Sequence, residues 1–450
     1  MILFKEINKN FNKILFINDR KYLFSEIIEE INKKSKFLKK FKNQSAILEN
    51  SNKKEFLINF YACNKNNIKT FITDKISLKK AKSLELKFNL LIKKKVYRIS
   101  FKKNFSNKKI SLILNTSGST NSAKFVYLSE RNISYITNQM NLAMKIKKDN
   151  HELLFAPLDH AFGLGRMHSV LKSASNLTLV DQINLSELFR LYKKNFCNSL
   201  SMPAKILEKI MIHNKKLFLK NFSNCKYIQI SSGLFPVNLR KKLLQKKINM
   251  FINYGTTEVM RTTFLDVKKY PNKINTEGKP FKNILIKTYN PKSNKGELLV
   301  KGPNVAIGYS NKKAWMNKFK DGWYHTGDVV KIDKKKFITY IGRTDDSINL
   351  NDINYSISYV EKYLLKTLKV NNLKIIFSNK KKQLFLFLGE KIEVKKIYKE
   401  LKKDGLNFNF NNIFFKIKFN FHKNGKLKIN HFKKIIEKRI INEKQKKIQK

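Results

Sequence analysis

The chain has 450 residues, 94 of them lysine or arginine against 33 acidic, for a net charge of +61, and 42% are hydrophobic. That apolar share is enough for one large domain and a smaller one, while no run of about 18 apolar residues offers a transmembrane segment. Charge of this size points either to polyanion binding or to AT-rich codons filling tolerant surface positions. The lysines run along the whole chain with heavy use of Asn, Ile and Phe, which favours the second reading and makes a specific nucleic-acid partner unexpected.

The N-terminal MILFKEINKNFNKILF interrupts its apolar residues with Lys and Asn, unlike a signal peptide. Cys63, Cys197 and Cys225 are far apart and lack CxxC spacing, so they read as thiols of a cytoplasmic protein rather than a disulfide frame or zinc site. The spacing of Ile, Leu and Phe predicts a helix over 24–41, and SAILEN (45–50) and TFITD (70–74) read as strands around a helical KKEFLINFYACN. This alternation predicts layered α/β architecture. The Lys-rich stretch 89–109 reads as solvated surface.

A strand at 111–114 then runs into TSGSTNSAK (116–124), and a helix is expected over 131–146. Thr116, Ser117, Gly118, Ser119 and Thr120 put hydroxyls and backbone amides in one tight loop, with Lys124 as a point charge. Such a loop can wrap the anionic oxygens of a triphosphate. It is not a Walker A loop, since GxxxxGK[ST] is absent; taken alone it also reads as a polar turn.

SSGLFP (231–236) precedes NYGTTE (253–258) by one helix and one strand. Gly233 and Gly255 allow close backbone approach to a flat base, and Tyr254 offers it an aromatic face. From 281 to 341 the pattern is β-rich. Beyond it a helix (359–368), two strands (KIIFSN, QLFLFLG) and a helix (VKKIYKELKKDG) suffice for a small α/β domain, followed by a basic helical tail over 432–450.

TSGSTNSAK, YGTTE, WYHTGD (323–328) with IGRTDD (341–346), and NGK (424–426) follow one another in an order that resembles the core motifs of the adenylate-forming enzymes, the superfamily of acyl-CoA synthetases, peptide-synthetase adenylation domains and luciferases. The resemblance runs from about residue 40 to 430. It implies a large N-terminal layered α/β adenylation domain (1–342) and a small mobile C-terminal α/β lid domain (346–450). It also implies ATP and Mg²⁺, a small carboxylic acid substrate, and transfer of the acyl group from acyl-AMP to coenzyme A or to the phosphopantetheine of a separate acyl carrier protein.

Carried over by motif, the loop 116–124 holds phosphates. Gly233, Tyr254, Gly255 and Thr256 border the base, and Thr257 touches the α-phosphate and the acid's carboxylate. Glu258 holds Mg²⁺, Asp328 binds the ribose, and Arg343 reaches the ribose or phosphate. His160 in PLDHAFGLGR lies near the acyl group, with Phe162, Met202, Ser231 and Leu234 as further lining. Arg166 is a candidate for a second substrate carboxylate or a solvent-exposed residue. Lys426 stabilises charge at the α-phosphate, and Asp345 is the hinge of the lid.

The chain departs from the family pattern in three places. Asn121 stands for the loop's second glycine, and Ala123 for its proline. Asp352 stands for the glycine that follows Ile-Lys-x-x near the hinge. Asp352 keeps open an enzyme that stops at the adenylate or serves only a carrier. The charge keeps open a polyanion-binding protein on a degenerate synthetase scaffold.

Overall fold

The computed structural model describes residues 2–7, 13–74, 76–82, 84, 86, 88–100, 107, 109–116, 124–173, 175–180, 185–289, 294–344, 347–350, 353–378, 383–403, 406, 408–421 and 427–437. It forms two compact units. The first comprises Met1–Pro291, Leu298–Thr326 and Ile332–Thr339; the second comprises Lys292–Glu297, Gly327–Lys331 and Tyr340–Lys450.

The first unit is built on two large sheets. A nine-stranded sheet runs in the order Lys279–Pro280, Thr263–Asp266, Asn249–Tyr254, Tyr227–Ser231, Ser199–Pro203, His151–Leu154, Asn176–Leu179, Ile14–Ile17, Arg20–Leu23. Its middle strands are parallel, from Asn249–Tyr254 across to Ile14–Ile17. Parallel strands buried on both faces need continuous apolar sequence, and Leu153, Leu200, Ile228, Ile230, Met250 and Ile252 supply it. A seven-stranded sheet runs in the order Gly308–Tyr309, Lys124–Leu128, Leu112–Thr116, Lys69–Thr73, Ser45–Glu49, Leu90–Ile92, Val96–Arg98.

The helix expected over 24–41 is present as Phe24–Leu38 with a 3-10 turn to Phe41, and it buries Phe24, Ile27, Ile28, Ile31, Ser35 and Leu38 along one face. Helix Lys53–Lys65 starts where Asn52 accepts from the Glu55 amide at 3.0 Å. Leu90–Ile92 corrects the solvated reading of 89–109. These three residues form a buried strand beside Ser45–Glu49, and exposed positions begin with the turn and strand that follow.

The second unit has its own core. Strands Leu373–Ser378, Gln383–Leu388 and Asn412–Phe414 pack Ile375, Leu384, Leu386 and Leu388 against Val360 and Leu364 of helix Ile357–Thr367 and Ile397 and Leu401 of helix Val394–Lys403. The tail is helical through residue 437; the rest of it lies outside the described residues. No helix among the described residues is long and apolar enough to cross a membrane.

The short helix Ile2–Ile7 is tied to the first unit through Glu6. Its Oε1 accepts from Ser134 and Lys172, each at 2.5 Å, and its Oε2 accepts from His168 Nε2 at 2.8 Å. Since that ring nitrogen donates, the neutral ring accepts at Nδ1 from Tyr61 (2.8 Å). Burial pushes the Glu6 carboxyl up, but the bonds from His168, Lys172 and Ser134 outweigh it and bring it from 4.5 to about 2. A carboxyl depressed on folding stabilises fully above its unfolded value and loses that contribution as pH falls through its folded value. Glu6→Gln is therefore expected to cost about 1–3 kcal/mol in urea unfolding at neutral pH. The difference from wild type should shrink between pH 4.5 and 2.

Candidate active site

Four adjacent parallel strands end at one edge of the nine-stranded sheet, and three of them are followed by a segment singled out in the sequence. His151–Leu154 leads to PLDHAFG, Ser199–Pro203 to helix Ala204–His213, Tyr227–Ser231 to SSG, and Asn249–Tyr254 to GTTE. In open α/β sheets, ligands bind outside the carboxyl ends of the strands, where loops diverge and backbone amides point outward.

The YGTTE turn is compact. A Cβ on Gly255 would lie 2.4 Å from the Arg261 amide nitrogen, so only glycine fits. Thr256 Oγ1 accepts from the amides of Glu258 (3.2 Å) and Val259 (3.4 Å), which closes the turn. Tyr254 through Glu258 are half-buried, so Thr257 and Glu258 sit at the surface of this edge. Gly233 is exposed, with φ +142°.

Glu258 Oε1 accepts from Tyr309 Oη at 2.8 Å, and Tyr309 Oη is 2.6 Å from Tyr324 Oη. A carboxylate can only accept, so Tyr309 donates to Glu258 and Tyr324 donates to Tyr309. Trp315 packs on both tyrosine rings. Lys124 lies 5.9 Å from the Tyr309 ring centroid.

The backbone enforces this gathering. Ile307 and Ser310 donate to the carbonyls of Tyr127 and Phe125 (2.9 and 3.0 Å), and Ala306 donates to Glu258 (2.7 Å). Asn132, in the first turn of helix Glu130–Met144, donates to the carbonyls of Pro303 (2.7 Å) and Val305 (2.9 Å). Thr116 and Lys124 face each other across the antiparallel strand pair that flanks residues 117–123. Thus Lys124, Tyr309 and Glu258 are brought together by strand pairing. Ser117, Gly118, Ser119 and Thr120 lie outside the described residues, as do Asp345, Asp352 and Lys426.

His160 precedes helix Ala161–Lys172 and is half-buried. Phe162 is buried nearby, whereas Met202 is fully buried in the main core and belongs to the packing rather than to a pocket lining. In the second unit, Asp328 is buried and accepts from Arg343 Nη1 at 2.9 Å. A carboxylate has about four lone-pair sites, so this pairing is compatible with ribose hydroxyls on the same group.

Arg166 corrects both sequence readings, since it is neither exposed nor available to a substrate. It is fully buried, with Nε donating to Glu152 Oε1 at 2.7 Å and Nη2 to Glu152 Oε2. Ser201 (2.6 Å) and Tyr227 (2.8 Å) also donate to Glu152. Arg261 and Tyr309 were not singled out in the sequence. The signals that could have found them are an arginine inside the apolar VMRTTFL and an aromatic beside the glycine of VAIGY.

A family model described as AMP-binding enzyme matches residues 40–310. The 2-succinylbenzoate–CoA ligase of Bacillus cereus is 25% identical over 276 residues, covering 59% of this chain and 56% of that ligase. That of Bacillus mycoides is 26% identical over 271 residues, covering 58% and 55%. The chain thus spans little more than half the length of these curated relatives. Among solved structures, O-succinylbenzoate coenzyme A synthetase from Bacillus subtilis, in complex with ATP and magnesium ion, superposes with a TM-score of 0.79 at 20% identity, over 94% of this chain and 97% of that one. ATP-bound MatB from Rhodopseudomonas palustris gives 0.82 at 15% identity, over 96% and 98%. The likeness to both structures is one of fold.

Removing one partner of the buried pair leaves a charge without compensation. Arg166→Met is expected to destabilise the protein by about 3–5 kcal/mol in chemical denaturation. The double variant Arg166→Met/Glu152→Leu should recover much of that loss.

Proposed function

The chain belongs to the family of AMP-binding enzymes, and from that premise we propose that it activates a small carboxylic acid with ATP and transfers the acyl group to a thiol. The observation that carries this reading is the gathering of Lys124, Tyr309 and Glu258 beside the YGTTE turn, at the carboxyl edge of parallel strands.

In the proposed reaction, one oxygen of the acid's carboxylate attacks the α-phosphorus of ATP. The bond from that phosphorus to the bridging oxygen breaks, and pyrophosphate leaves with the electron pair. No general base is needed, because a carboxylic acid is already ionised at neutral pH. The catalytic work is positioning and charge stabilisation.

The loop from Thr116 to Lys124 would cradle the β- and γ-phosphates, and Thr257 the α-phosphate. Gly233, Tyr254, Gly255 and Thr256 would border adenine, and Asp328 with Arg343 the ribose. His160 would wall the acyl side. Lys426 would enter to stabilise the α-phosphate, and rotation at Asp345 would replace it with a second face of the C-terminal unit for the thiol step.

Glu258 fits a magnesium site of the kind that takes one protein carboxylate and fills its shell with phosphate oxygens and water. Tyr309 engages its Oε1, and no group of three or more metal-ligating side chains exists among the described residues. Bound there, Mg²⁺ would neutralise phosphate charge. Tyr309 and Tyr324 would hold the carboxylate in one orientation for it.

The related ligases are named for coenzyme A, which makes it the first acceptor to test, with phosphopantetheine on a carrier protein as the second. Asp352 bears on that half of the reaction. The buried thiols Cys197 and Cys225, both pushed up to about 12 by burial, suit a reducing cytoplasm.

The central experiment is ATP–pyrophosphate exchange with a panel of acids that includes 2-succinylbenzoate. No exchange with any acid would overturn the proposal. Glu258→Gln should cost adenylation about 3 kcal/mol. Tyr309→Phe should keep the fold and weaken Mn²⁺ binding in the ATP complex, read by the metal's relaxation signal, by roughly tenfold, the scale of one bond to a charged group.

Lys426→Ala should slow adenylation by about 10² and largely spare thioester formation from supplied acyl-AMP. Asp345→Pro should do the reverse, because fixing φ stiffens the hinge. Equal slowing of both half-reactions by each variant would rule out the alternation.

A further inference from the structure

Arginine is scarce in this chain: 9 of the 94 basic residues, the rest being lysine. Where lysine is the default cation, an arginine marks a place that needs a planar fork of donors. Three arginines of the first unit are buried. Arg166 holds Glu152, and Arg240 holds Glu277 at 2.7 Å while donating to the carbonyls of Phe235, Ile274 and Thr276. The third, Arg261, has no acid.

Arg261 is 5% exposed, yet it makes one hydrogen bond, from Nη2 to the Phe162 carbonyl at 2.7 Å. Its Nε and Nη1 have no partner. Buried polar groups are nearly always satisfied, and an unpaired buried charge is the costliest exception. The acid that acts on it electrostatically is Glu152, already filled by Arg166, Ser201 and Tyr227. Arg166 holds that carboxylate directly, and Arg261 feels it without contacting it. Burial, with Arg166 adding to it, pushes the Arg261 guanidinium down only to about 9, so it stays charged at neutral pH.

The surroundings have been shaped for this side chain. Nη1 lies 2.4 Å from where a Cβ on Gly165 would be, so the guanidinium occupies space that the absent side chain leaves open. The guanidinium carbon is 5.8 Å from the Phe162 ring centroid. Arg261 has φ +40°, a strained conformation for a bulky residue. It stands three residues beyond Glu258, its amide packed on Gly255, and its side chain reaches the first turn of the helix that His160 begins. It thus joins the two segments assigned to the reacting carboxylate and to the acyl group.

We propose that Arg261 recognises a second carboxylate on the acid, so that the substrate is a dicarboxylic acid. The inference rests on the acid-activating reading above. One carboxylate is adenylated at Thr257, and the other stays ionised against Nε or Nη1, so the acyl product keeps a negative charge. Reaching those atoms requires the wall to open, and Phe162 is the side chain that would move.

The test is pyrophosphate release with matched acids: 2-succinylbenzoate, the acid in the relatives' names, against 4-oxo-4-phenylbutanoate, which lacks only the ring carboxylate, and glutarate against butyrate. The expected result is a kcat/KM preference of roughly 10² or more for a diacid over its partner, the scale set by leaving a buried donor unpaired. Arg261→Met should abolish that preference by raising KM for the diacid while sparing the monoacid, and it should fold at least as stably as wild type. A purely structural arginine would instead destabilise the protein and slow both acids alike.

Equal use of both members of each pair by wild type overturns the inference and leaves acid activation standing. So does a preference that survives Arg261→Met. No pyrophosphate release from any acid overturns both. Should Arg261→Met not fold, Arg261→Lys, which keeps the charge and loses the fork, is expected to weaken the preference without removing it, and the wild-type comparison decides alone.

Discussion

One buried carboxylate holds the centre of the first unit in register. Glu152 lies in the middle of strand His151–Leu154 with no solvent contact. Its donors come from three other elements: Ser201 and Tyr227 on two of the parallel strands, and Arg166 on the helix that follows His160. Sliding any one of these by a residue would strand a charge in the interior, at a cost several times that of a misplaced methyl group. The strand ends that carry PLDHAFG, SSG and GTTE are therefore fixed relative to one another by polar geometry as well as by apolar packing.

A second set of ties brings the strand pair Leu112–Thr116 and Lys124–Leu128 to that edge. The segment 303–310 is bonded to Asn132, to the strand Lys124–Leu128 and to Glu258. It crosses from the strand pair that flanks TSGSTNSAK to the YGTTE turn, and it delivers Tyr309 to the Glu258 carboxylate on the way. Backbone bonds made at several points tolerate little independent movement. Preorganised donors and charges are what phosphoryl chemistry demands of a protein.

Much of this architecture was legible because helices and strands announce themselves by spacing. The helix from Phe24 and the strand that runs into TSGST follow from period and composition alone, whereas the strand Lys124–Leu128 after it was not read. Leu90–Ile92 was missed because three apolar residues beside KKK carry no period to read. Arg166 could not be assigned because its partner is fourteen residues away in another element, and a sequence does not say which acid an arginine will face. Motif order was the broadest site signal, and two residues it singled out, Lys124 and Glu258, meet around Tyr309. Arg261 and Tyr309 fall between motifs, and three-dimensional contact alone explains them.

The contact between Gly165 and Arg261 also reaches past this one chain. A side chain at position 165 and a guanidinium at 261 would claim the same volume. A side chain gained at 165 has to be met by a shift of the guanidinium, which is the movable end of the pair. Among relatives, the two positions should covary, with arginine at 261 most frequent where 165 remains glycine. The glycine, mute by itself, becomes a permissive substitution whose history can be read in an alignment.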